Sequence, residues 1–364
     1  MGVWEERACG HRTLRNSFRL GRGKDSVTVD SAHREPNGPT DHRVDRLIHL
    51  LAENAMVIVP GPKIASEIGV SRLRVWQWVE KLRALGVDIQ GIPATGYLLR
   101  TLPDILVPSL VRAELGGQEI GRKILHYFKT ESTNDLALGL SPRDGPHGTV
   151  VLAEEQTAGR GRLGRKWHSE KSSGIYSSTL LRPPLPPSAA AVLTLAAALA
   201  VREAIRQTAG LAPDIRWPND LLVNGKKVSG ILTEMKAEVD RIHAVVLGIG
   251  VNVNHKALPA ELRSIATSLR IECGRPISRL QVLAALLKEL ERHYRLLLDR
   301  GNAPIIERWT AASSYATGKR IHVRKASEEF NAVTAGLDGG GALRIRRDGG
   351  GEELLVAGEI IEVK

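Results

Sequence analysis

The 364-residue chain has few cysteines. Cys9 and Cys273 are its two, far apart. They make neither a disulfide framework nor a cysteine zinc set, and such scarcity fits a reducing cytoplasm. It also lacks any run of about 18 apolar residues, so no membrane partner is expected. The most apolar stretch, 189–204, contains Thr194, Arg202 and Glu203 and reads as a buried core helix. The N-terminal residues include arginines but no apolar h-region, which argues against a secretory signal.

A net charge of +11 follows from 51 basic against 40 acidic residues. That balance suits nucleic acid or anionic substrates without deciding between them. The most informative stretch is 154–171, EEQTAGRGRLGRKWHSEK, in which Gly159, Gly161 and Gly164 alternate with Arg160, Arg162 and Arg165. Glycine lets backbone approach a ligand, and arginine offers a fork of donors matched to phosphate or carboxylate. The segment is not a P-loop, because Arg165 and Lys166 stand where Lys and Ser/Thr are required. Its G-x-G-x-x-G spacing is not followed by an apolar helix, so the dinucleotide fingerprint also fails.

Residues 1–40 show no sustained periodicity and read as a disordered extension. Residues 41–101 read as a winged helix-turn-helix: a first helix, a short helix ending at the turn glycine Gly69, and a second helix capped by Ser71. Val75, Trp78, Val79, Leu82 and Leu85 form its expected buried stripe, and a two-stranded hairpin follows. Ser71, Arg72, Arg74, Gln77 and Lys81 are then the candidate DNA contacts; a helical protein-interaction module remains the alternative. A linker with a short helix spans 102–122. An α/β domain follows over 123–312, with helices near 133–140, 188–208, 258–263 and 277–301 and one strand expected across 214–224. A β-rich tail, 313–364, suggests a small antiparallel barrel. The fold class is therefore α+β.

Three further motifs complete the pattern. Glu131–Ser132–Thr133–Asn134 opens a helix, where hydroxyls serve as caps or as ligand contacts. Arg216–Trp217–Pro218–Asn219–Asp220 projects a cation, an amide and a carboxylate together, and Asp220 near phosphates would suit Mg²⁺. Gly248 and Gly250 in GIGVNVN leave floor space for a ligand or permit tight strand packing.

In this order the motifs ESTN, GRGRxGRxW, WPND, KxxGIL and GIGxNVN resemble those of the bifunctional biotin–protein ligases that also act as biotin operon repressors. The resemblance covers roughly residues 42–364 and implies a winged helix, a ligase domain and a C-terminal SH3-like barrel. It implies that biotin and ATP are substrates, joined as biotinyl-5′-AMP before transfer to a lysine of a biotin carboxyl carrier domain. Carried over by position, Ser132, Thr133, Asn134, Gln156, Gly159, Arg160, Gly161, Arg162, Arg216, Gly248 and Gly250 line the biotin site. Arg162, Arg165, Trp167, Asn219 and Asn252 face ATP or the adenylate, and Arg162 and Arg216 are the catalytic cations. The resemblance also implies an adenylate-dependent homodimer on operator DNA. Two alternatives stand beside it: a ligase whose winged helix does not bind DNA, and an adenylate-sensing repressor without ligase activity.

One position departs from the pattern. The family has lysine immediately before Trp-Pro-Asn-Asp, and this chain has Arg216. Arginine keeps the charge but presents a bulkier fork. Activity is expected to persist with altered rate or biotin affinity; steady-state kinetics of Arg216→Lys check this, and a loss of activity would mean that the site is built around arginine.

Overall fold

The computed structural model describes residues 38–364 apart from 141, 326–327 and 363–364, so most of the expected N-terminal extension lies outside the described residues. The winged helix forms as its sequence dictates. Asp41 caps α1 (His42–Glu53), which buries Val44, Leu47, Ile48 and Leu51. After β1 (Ile58–Pro60), α2 (Gly61–Ile68) stops at Gly69 in the left-handed conformation, φ 67°. Ser71 Oγ then accepts the Arg74 N–H at 3.2 Å and starts α3 (Arg72–Arg83). Val75, Val79 and Leu82 are buried, whereas Trp78 and Leu85 are only partly covered. The expected hairpin is β2 (Ile89–Ile92) with β3 (Gly96–Leu99), and β1 adds a third strand in the order β1-β3-β2.

The segment after the wing is part of two cores. Ile105 and Val107 pack into the winged-helix core, while Leu106 between them joins the core of the larger domain. Alternation at period two sends successive side chains to opposite sides of an extended chain. Helix α4 (Pro108–Leu115) continues the seam: Ser109 donates through its backbone N–H at 3.0 Å and its hydroxyl at 2.5 Å to Asp45 of α1.

The larger domain is a seven-stranded sheet built from β4 (Ile124–Tyr127), β5 (Thr149–Ala153), β6 (Gly174–Leu181), β7 (Asp214–Arg216), β8 (Asp220–Val223), β9 (Lys226–Ala237) and β10 (Ile242–Asn252). The order is β4-β5-β6-β10-β9-β8-β7, with β4 and β5 parallel and the remaining neighbours antiparallel. The strand candidate 214–224 is interrupted by the stiff turn read at Arg216–Asp220 and folds into a β7–β8 hairpin, since Pro218 has no N–H to give a ladder. On β10, Val245, Leu247, Ile249 and Val251 face the core formed with α6 (Ala190–Ala209) and α8 (Arg279–Arg300). Ala244 and Val246 face the other side, towards α5 (Thr133–Gly139). Helix α6 is long and apolar enough to cross a membrane by composition, but it is packed inside this core. The helix expected near 258–263 is one 3-10 turn, Ala260–Leu262; α7 (Leu269–Cys273) and α9 (Ala303–Ala312) were not anticipated.

The tail forms five antiparallel strands, β11 (Thr317–Arg324), β12 (Glu329–Leu337), β13 (Leu343–Arg347), β14 (Glu352–Leu355) and β15 (Glu359–Glu362), in the order β14-β13-β12-β11-β15. Ile321, Val323, Leu343 and Ile345 are buried in the same cluster as α6, so tail and sheet share one core.

A buried polar group joins these parts. Arg279, fully buried at the start of α8, donates to Glu154 at 2.8 Å and to the Gly174 carbonyl at 3.1 Å. It also reaches Asp104 at 3.1 Å, while Glu154 accepts the Leu106 N–H at 2.9 Å. His126 lies 3.2 Å from the same carboxylate, and its other ring nitrogen is 2.8 Å from the Thr40 hydroxyl. Burial alone would raise the Glu154 pKa; the Arg279 charge, with His126 and the Leu106 N–H, overrides it and holds the carboxyl far below the ordinary 4.5. The contribution of Glu154 to stability is therefore fully present above pH 4.5 and falls away as the medium is acidified below that value. Arg279→Met strands the carboxylate and should cost about 3–5 kcal/mol at neutral pH. Urea unfolding at pH 7 and in acid checks both, the variant's deficit shrinking as Glu154 becomes protonated.

Candidate active site

A cavity of about 760 Å³ opens on the α5 side of the sheet. Its floor depends on missing side chains. A Cβ at Gly248 would stand 2.1 Å from Asn134 Oδ1, and one at Gly250 would stand 2.4 Å from the Trp167 ring. Gly230, paired with Gly250 across β9 and β10, would also press on Trp167, at 3.0 Å. The room these glycines leave is thus taken by Asn134 and Trp167, which themselves face the cavity.

Helix α5 brings three expected residues to one wall. Ser132 caps the helix, accepting from Asp135 N at 3.4 Å, and also lines the cavity. Gln156 Oε1 accepts from the Thr133 N–H at 2.9 Å and hydroxyl at 3.1 Å, and Gln156 Nε2 donates to Ser169 at 3.0 Å. Ser178 donates to Asn134 Oδ1 at 2.5 Å, while Asn134 Nδ2 donates to Glu234 at 2.7 Å. The wall is held rigid by satisfied hydrogen bonds before anything binds.

The glycine–arginine segment is a small hairpin. Trp167 N–H donates to the Gly159 carbonyl at 2.8 Å and Gly161 N–H to Arg165 O at 2.7 Å. Its tip is a 3-10 turn, Arg162–Gly164, with Leu163 exposed at φ 56° and Gly164 at φ 71°. Gly159 does not line the cavity; a Cβ there would meet Ser169 at 2.8 Å, so its smallness serves the stem. Arg160 is held by Asp135 at 2.5 Å and Glu234 at 3.2 Å, and Arg165 by Glu359 of the C-terminal sheet at 2.5 Å. Arg162 is different: its polar contact is the uncharged Asn219 Oδ1 at 3.3 Å. Burial lowers its pKa, with Asp220 and Glu359 acting the other way. Asn219 and Asn252 are buried and fixed by carbonyls, Ile231 O at 2.7 Å and Thr267 O at 3.0 Å.

Across the cavity, Asp220 lies between Arg216 at 2.8 Å and Lys227 at 2.5 Å. Burial would raise its pKa, but Lys227 and Arg216 keep it lowered. A carboxylate already shared by two cations does not fit a magnesium ligand, so Asp220 is an anchor for Arg216 and Lys227 instead. Lys227 also sits 5.4 Å above the Trp167 ring. Lys227, Glu234, Ser178 and Glu359 were not among the expected site residues. Lys227 opens the KxxGIL motif, but Ser178 had no signal beyond lying on a strand.

On the winged helix, Arg72 and Gln77 are exposed at the face of α3, and Arg74 donates to Gln77 at 3.3 Å. Lys81 departs from that face. Its ammonium lies 4.3 Å over the Phe128 ring next to β4, and desolvation lowers its pKa.

Comparison with known proteins agrees with this geometry. Residues 126–252 match the biotin/lipoate A/B protein ligase family, and residues 43–98 match an HTH domain. The bifunctional ligase/repressor BirA of Bacillus subtilis is 38% identical over 315 residues, covering 85% of this chain and 96% of that protein. The chain belongs to the bifunctional ligase/repressor family. Its Escherichia coli counterpart is 29% identical over 86% of this chain and 97% of its own length. Among solved structures, the biotin protein ligase from Aquifex aeolicus in complex with biotin and ATP superposes with a TM-score of 0.58 at 27% identity, covering 66% of this chain and 98% of that one.

The floor makes a direct prediction for this family member. Gly250→Ala should destabilise by about 1–3 kcal/mol, because Trp167 must move. In a Trp167→Ala background most of that penalty should vanish, measured as a double-mutant cycle by urea unfolding.

Proposed function

We propose that this chain joins biotin to a lysine of a biotin carboxyl carrier domain through biotinyl-5′-AMP, and that the adenylate-bound form represses genes by binding an operator as a homodimer. The reading rests on one observation above the rest: a single cavity gathers Ser132–Asn134, the arginine hairpin, Arg216, Lys227 and Trp167 in a chain of this family. Its chemistry needs ATP and a carrier protein, which fits the cytoplasm.

In the first step the biotin carboxylate oxygen attacks the α-phosphorus of ATP; the bond to the β-phosphate oxygen breaks and pyrophosphate leaves. Two anions must meet, so the residues' work is neutralisation and alignment. Arg216 and Lys227, held apart by Asp220, cover the carboxylate, and Arg162 covers the phosphate. Ser132, Thr133, Asn134 and Gln156 bind the polar head of biotin, while Arg165, Trp167, Asn219 and Asn252 border the nucleotide. Magnesium accompanies the nucleotide's phosphates. In the second step the uncharged lysine amine attacks the acyl carbon, AMP departs, and the amine's extra proton passes to solvent. Arg160 moves from Asp135 and Glu234 towards the ligand as the hairpin closes.

Incubation with biotin, MgATP and a carrier domain should give a lysine adduct by mass spectrometry; adenylate without adduct would mark a sensor. Arg162→Gly should release biotinyl-AMP and label bystander lysines, whereas full retention of the adenylate would remove Arg162 from the phosphate. Operator binding should require biotin with ATP and weaken steeply with salt. Arg72→Ala should reduce the salt slope by about one, and Lys81→Ala should leave it unchanged because that ammonium faces Phe128; fluorescence anisotropy over a salt series reads both.

A further inference from the structure

Beside the cavity, past the arginine hairpin, lies a cluster that neither reaction step uses. His168, Glu170 and His255 each place one donor atom within 4.8 Å of the other two. The two imidazoles are tilted neighbours, with ring centroids 5.7 Å apart. His255, just after β10, is fully buried, and its Nδ1 has no hydrogen-bond partner among the described residues.

The tautomer of His255 can be read from its surroundings. The Tyr176 hydroxyl donates its one proton to the Glu170 carbonyl at 2.8 Å. Towards His255 Nε2, 3.4 Å away, it can only accept, so Nε2 carries the hydrogen and Nδ1 keeps the lone pair. A buried acceptor nitrogen left without a donor is costly for a fold and useful to a cation. The hydrogen bond from the other ring nitrogen is the arrangement that orients metal-bound histidines.

We propose that His168, Glu170 and His255 form a site for a divalent transition metal of the zinc class, with His255 Nδ1 as its buried ligand. Two imidazoles and a carboxylate suit such an ion and leave a fourth position open. Tetrahedral ligands stand about 3.4 Å apart at the usual bond lengths, so the donors must draw together. Glu170 is exposed and His168 half-buried, and both are free to make that adjustment. Arg279 does not forbid the ion, since Glu154 and Asp104 already match its charge. Bound metal would staple residues 168–170 to residue 255, fixing the stem from which the hairpin moves.

The test is calorimetric titration of the untagged full chain, stripped by chelator and free of nucleotide, with zinc chloride. One tight site per chain is expected, weakened by at least about tenfold in His168→Gln and in Glu170→Gln. Neither residue is buried, so both variants should fold, which circular dichroism confirms. Cobalt should give the intense visible absorption of a tetrahedral site in the wild type and lose it in both variants. Zinc binding that is absent, or equal in wild type and both variants, would overturn the site without touching the ligase reading.

Discussion

The ion pair between Arg279 and Glu154 carries more of this architecture than any apolar contact. It is fully buried, and each partner serves several strands of chain at once. Glu154 takes the N–H of Leu106, pinning the segment whose neighbours enter two different cores. Two residues further on, Gln156 holds the start of α5 and therefore the wall of the cavity. Through His126 and Thr40 the same carboxylate reaches the chain just before the winged helix. Replacing such a pair with apolar residues can leave stability unchanged, but breaking one side cannot. Its value here is geometric, because it sets one position for the wall of the site and for the approach to the winged helix.

Much of the fold was legible because local rules and tertiary demands agree. The caps at Asp41, Ser71 and Ser132 and the left-handed glycine at 69 mark helix ends by side-chain and backbone chemistry alone. Along β10 both faces are covered, and Ala244 to Leu247 alternate between the α5 side and the α6–α8 core. Failures occur where a local signal needs a distant partner. Residues 102–115 look like a linker because Pro103 and Pro108 interrupt the stretch; only the two cores on either side make Ile105, Leu106 and Val107 structural. Trp78 was expected in the buried stripe by its spacing, yet it packs against the winged-helix core only partly covered.

At the site, motif residues converged, but their electrostatic partners had no signature. Glu234 and Asp135 lie far from Arg160 in sequence, and Glu359 is almost two hundred residues from Arg165. Lys81 reads as one more basic residue on a DNA-facing helix until Phe128 is placed beneath it. Motif reading finds side chains that would touch a ligand; it does not find those that occupy them beforehand.

That prior occupation shapes the hairpin's behaviour. Arg160 and Arg165 are charge-matched in the resting state, each by carboxylates of this chain. Each carboxylate therefore competes with any anionic occupant for its guanidinium, and an arginine leaves its partner only for an occupant that binds it better. Arg162 differs in its partner: its hydrogen bond is to an amide oxygen, with the charges of Asp220 and Glu359 acting on it from nearby. Among the described residues, the stem arginines of the hairpin thus carry their own counter-charges, while the arginine at its tip is bonded to a neutral amide.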